Sequence, residues 1–68
     1  MSNAATIERI HIRTQMDRAQ EIIREYGVHL AKGGLGANDV RFLTTGIAAQ
    51  EQRLIELQHA YDNAEWLV

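Results

Sequence analysis

The 68-residue chain contains no cysteine and no proline. Without thiols, neither a disulfide framework nor a thiolate zinc site can reinforce it. Without proline, any break in a helix has to come from glycine or from capping residues. Aromatic residues make up 6% of the chain, too few to build a core by themselves. No apolar run exceeds three residues, far short of the roughly 20 that a membrane span requires. No apolar stretch near Met1 matches a signal peptide, so the expected compartment is the cytoplasm. Net charge is also small, at −2, which gives no general polyanion-binding signature. A chain of this length buries only about 60% of its unfolded surface, so a lone domain is marginal and association with another chain is a natural remedy.

Three of the five glycines fall together in Gly33-Gly34-Leu35-Gly36, near mid-chain. Glycine reaches positive φ without strain, so this cluster reads as the end of one helix and a reversal of the chain. Lys32 precedes it, a cation suited to a helix C-terminus. Asn38 and Asp39 follow, and either side chain can cap a second helix. The stretch from Lys32 lacks the Gly-Lys-Ser/Thr ending of a P-loop, and no strand precedes it.

Periodicity supports the same organisation. Val40, Leu43, Ile47, Gln50, Leu54, Leu57, Tyr61, Ala64 and Val68 alternate by three and four, a heptad seam with Gln50 as its polar member. Ile12, Met16, Ala19, Ile23, Tyr26 and Leu30 obey the same rule, and Arg9 and Ala5 extend it backward. Folding at the glycines pairs positions whose numbers sum to about 70. Gln50 then faces the small Ala19, and Arg9 comes to the level of Tyr61, where a guanidinium can lie on a ring. The expected fold is all-α: an antiparallel helical hairpin with helices of roughly 25 residues, about 38 Å long. Residues 5–68 form this single domain, with the loop near 32–38. Residues 1–4 read as a flexible N-terminus, in which Ser2-Asn3-Ala4 matches the remnant of a removed tag. Gly27 and Gly46 each weaken their helix, and Gly27 is a point where helix 1 stops or bends.

One seam covers little apolar area, and more apolar residues lie outside it. These are Phe42, Ala48, Ala49, Ile55 and Trp66 in the second half, with Ile7, Ile10 and Ile22 in the first. Their burial calls for a second layer, most simply a homodimer forming a four-helix bundle. A larger protein partner meets the same need.

No catalytic residue set emerges. His11 and His59 share a level but lie outside the seam, on faces that need not converge, and no His-x-x-x-His spacing occurs. Surface histidines are the expectation, with no metal and no cofactor. The hydroxyl residues form no nucleophile, base and acid set, so the chain is read as non-enzymatic. Residues 1–37 carry a net +1 and residues 38–68 a net −3. The leading reading is therefore a small protein-interaction module: an adaptor, regulator or inhibitor acting through an apolar and acidic helical surface. Its partner-binding residues are Phe42, Ile55 and Trp66 with Glu51, Glu56, Asp62 and Glu65. Small acidic helical proteins of phage or mobile-element origin offer a class analogy. The alternative is an RNA- or DNA-binding hairpin dimer using Arg9, Arg13, Arg18 and Arg24, similar in size and bundle form to small plasmid-encoded RNA-binding hairpins.

The seam makes a direct prediction. Leu54→Asp places an unpaired carboxylate against apolar neighbours and is expected to abolish cooperative helical unfolding, seen as loss of the thermal transition in circular dichroism. A native-like melt from that variant would contradict the register.

Overall fold

The computed structural model describes the backbone of residues 3–66 and the side chains of residues 6–64. Two helices, α1 (Asn3–Lys32) and α2 (Ala37–Trp66), pack against each other as a hairpin. Each has 30 residues, so both are longer than the sequence suggests, and the pair forms a rod 53 × 14 × 12 Å. α1 already includes Asn3 and Ala4, two of the four residues set apart as an N-terminal segment.

The extra length has local causes at the turn. α1 runs through Gly27 without stopping, and the loop is only Gly33–Gly36. Gly33 and Gly34 take φ of 73° and 74°, the left-handed region that ends a helix. The Gly33 N–H donates to the Leu30 carbonyl at 3.2 Å, satisfying one of the orphan acceptors of the last turn. The Gly36 carbonyl accepts from the Val40 N–H at 3.0 Å, so Gly36 is the residue from which α2 starts. Asn38 and Asp39 are thus not caps. They lie inside the first turn, where the Asp39 charge still suits the positive helix end.

The seam residues are those expected from the spacing. Ile12, Met16, Ala19, Leu57 and Ala64 are buried, and Leu54 and Tyr61 pack against the cluster of Ile12, Met16, Leu57 and Ala64. Arg9, Ile23, Tyr26, Leu30, Leu43, Ile47 and Gln50 are half-buried. Val40 departs from the pattern: it is 41% exposed. It sits in the first turn of α2, where the helix has neighbours on one side only. Ile22, expected outside the seam, is half-buried beside it.

Cross-helix contacts confirm the register. Arg53 Nη2 donates to Gln15 Oε1 at 2.8 Å, and the rings of Tyr26 and Phe42 lie 6.2 Å apart, tilted by 41°. Tyr26 also explains Gly46. A Cβ built on Gly46 would lie 2.6 Å from Tyr26 Cε2 and 3.0 Å from Cδ2, so the missing side chain is the space that the ring occupies. Nothing lies within 4 Å of a Cβ built on Gly27.

The two helical glycines therefore respond oppositely to alanine. Gly27→Ala is expected to stabilise the hairpin by about 0.5–1 kcal/mol, since it gains helix propensity without a clash. Gly46→Ala must displace the Tyr26 ring, and a net loss of about 1–3 kcal/mol is expected from overpacking. Urea denaturation midpoints would decide it, and equal shifts in one direction would refute the assignment.

Candidate functional site

Among the described residues the hairpin encloses no deep cavity lined by reactive groups, so its candidate sites are surfaces. The geometry of the rod divides them into the outer face of α2 and the two flanks along the seam.

On the outer surface of α2, Phe42 is 67% exposed and Ile55 is 54% exposed, but at about 100° per residue they point about 140° apart, Phe42 toward the flank it shares with Tyr26 and Ile55 toward the other. Ala48 and Ala49 are exposed between them. The Phe42 ring stands near the loop end, one edge toward Tyr26 and the rest bordering open depressions formed with Thr45, Gly46 and Ala49 on one side and His29 and Leu35 on the other. Glu51, Glu56 and Asp62 are all exposed on the same helix. Asp62 Oδ1 accepts from Gln58 Nε2 at 3.0 Å, a one-turn contact that fixes the carboxylate and leaves its charge at the surface. The side chains of Glu65 and Trp66 lie outside the described residues. On α1, Ile7 and Ile10 are exposed toward the end of the rod away from the loop.

The arginines of α1 do not share one face. At about 100° per residue, Arg9, Arg13 and Arg24 fall within roughly 60° of one another, whereas Arg18 is turned about 140° from Arg13. The grooves reflect this division. Arg9 and Arg13 line one with Thr6, Ile10, Thr14 and Tyr61, while Arg18 lines another with Gln15, Ala19, Ile22, Gln50 and Arg53. Arg13 Nε also lies 3.4 Å from Asp17 Oδ1, an exposed ion pair that places a carboxylate within the basic face. Arg9 shares a groove with Tyr61, but no cation–π contact joins them among the described residues. Thr14 Oγ1 donates back to the Ile10 carbonyl at 2.9 Å, which engages its hydroxyl within α1.

His11, His29 and His59 are exposed. Among the described residues no group of three or more His, Asp or Glu side chains converges as a metal ligand set. No described helix is long and apolar enough to cross a membrane.

No protein-family model, curated protein or solved structure matches the chain.

Sequence spacing located Phe42 and Ile55 as exposed because both fall off the seam. It did not separate Arg18 from the other arginines, although counting 100° per residue contains that result. The Gln15–Arg53 bond was not anticipated. It is legible only once the register is known, since the two residues are 38 positions apart.

Gln50 is half-buried and makes no side-chain hydrogen bond to protein among the described residues. Gln50→Leu is accordingly expected to raise the melting temperature, by an amount equivalent to up to about 1 kcal/mol, while relaxing the choice of association state. Calorimetry with sedimentation velocity reads both effects. A lower melting temperature with one discrete species would show that the amide is needed where it is.

Proposed function

We propose that this chain is a non-enzymatic protein-interaction module that associates through the outer surface of α2. The observation that carries this reading is the exposure of Phe42 and Ile55 on a rod with only five buried apolar residues among those described. Each is a separate apolar contact that a protein partner can cover, and a hairpin with so small a core gains stability from such cover. Phe42 is the natural anchor at the loop end, with Ile55 further along the same helix. Glu51, Glu56 and Asp62 around them favour a partner surface carrying Lys or Arg, through steering and orientation more than through affinity. The associated state is a bundle in which the outer face of α2 supplies the second layer, and a homodimer of hairpins is the simplest such bundle.

Support for this reading over nucleic-acid binding comes from the arginines. A phosphate backbone is best met by a continuous basic strip. Here Arg18 leaves the strip and Asp17 enters it, and among the described residues no aromatic ring lines the grooves of these arginines beyond Tyr61 at one end.

The test is affinity capture from lysate of the native host, with and without nuclease, comparing the wild type with a Phe42→Asp/Ile55→Asp variant of equal helicity. A stoichiometric protein that survives nuclease and is absent from the variant is the expected result. Nucleic acid captured equally by both, and lost from an Arg9→Glu/Arg13→Glu variant, would overturn the reading.

A further inference from the structure

One stripe of α2 is complementary to itself when reversed. Arg41, Ala48, Ile55 and Asp62 are each seven residues apart and all are exposed. Seven residues return nearly to the same side of a helix, with a drift of about 20° that a gentle supercoil removes. The stripe therefore reads cation, small apolar, large apolar, anion, over a length of about 32 Å. Reversing a second copy about an axis near residues 51–52 places Arg41 beside Asp62 of the other copy at both ends. The same operation sets Ile55 against Ala48 of the other copy twice in the middle, a large side chain against a small one.

The exposed area is large enough for such a pairing. The chain exposes 5337 Å². A compact monomer of this mass exposes about 4,300 Å², so the rod carries an excess of roughly 1,000 Å². A standard interface buries about 800 Å² per partner, which is close to that excess. A second copy supplies an apolar face of matching length and the opposite order of charge, whereas a larger basic partner would leave Arg41 facing like charge.

We propose that the outer face of α2 is an isologous dimer interface, in which two copies pair antiparallel along Arg41, Ala48, Ile55 and Asp62. This rests on the interaction-module reading above and specifies its self-association: the two hairpins join through α2 against α2, with each α1 on the outer side of its own α2. Ile55 and Ala48 provide the apolar centre. The Arg41 and Asp62 pairs fix direction and register, since a parallel arrangement would bring Arg41 to Arg41 and Asp62 to Asp62. The Gln58 bond to Asp62 Oδ1 holds that carboxylate on the surface without neutralising it.

Charge exchange tests the pairing. Sedimentation equilibrium would compare the wild type with Arg41→Asp, Asp62→Arg and the double variant, each first shown to retain wild-type helicity. Each single change is expected to weaken the dimer by about three- to tenfold at low salt, and the double change to restore it. Because the chain has no cysteine, Gln52→Cys supplies a unique thiol beside the axis. A short bismaleimide should link Gln52→Cys to its own copy, and should fail with Asn38→Cys near the end of the helix. A dimer indifferent to both charge changes, or linked through Asn38→Cys instead, would overturn this interface while leaving self-association in place. A helical wild type that stays monomeric at millimolar concentration would overturn the second copy as occupant. In that case the capture experiment decides the interaction-module reading independently, because it scores a foreign protein.

Discussion

Everything in this molecule depends on one line of contact between two helices. Ile12, Met16 and Leu57 are the large side chains buried along it, and Ala19 and Ala64, each 2% exposed, let the helices approach closely. Among the described residues no other element shares the task. In a larger domain a weak layer is supported by packing above and below, but here each layer is bounded by solvent on both flanks. Hydrophobic burial must therefore offset the entropy of ordering two 30-residue helices with an unusually narrow core.

That constraint orders the remaining features. The loop has to reverse the chain in four residues while bringing the seams into register, which two consecutive positive-φ glycines accomplish. Gly46 is retained within a helix because the Tyr26 ring lies where its side chain would be. The Arg53–Gln15 bond spans the seam on one flank and opposes sliding of one helix along the other. Surface pairs such as Arg13 with Asp17 contribute little to stability, being exposed to solvent and screened by salt. They do define where the basic surface of α1 is interrupted.

Most of the architecture was legible in the sequence because a hairpin is largely a one-dimensional problem. The alternation by three and four located the seam, and the glycine cluster located its fold point. Together these implied which residues face one another. Legibility was poorer where three-dimensional detail decides. Asn38 and Asp39 carry good capping side chains, yet Gly36 starts α2 because the reversal from two left-handed glycines ends there. Gly27 looked like a helix breaker, but its cost is small beside the contacts made by Ile23, Tyr26 and Leu30 around it. The candidate surface was readable for Phe42 and Ile55, which follow directly from the heptad. The scattering of the arginines was less apparent, because proximity in sequence between Arg13 and Arg18 conceals their separation around the helix.

The four-residue loop has a kinetic consequence. Its two ends are already close, so the layer nearest the turn forms with little loss of chain entropy. Each later layer then joins residues further apart in sequence but brought near by the layer before it. A directional zipper is therefore expected, starting near the turn around Tyr26 and Phe42 and travelling toward the free ends, with opening in the reverse order. On that order, substitutions near the turn are expected to slow assembly, and those toward Ile12 and Tyr61 to speed opening of the far end.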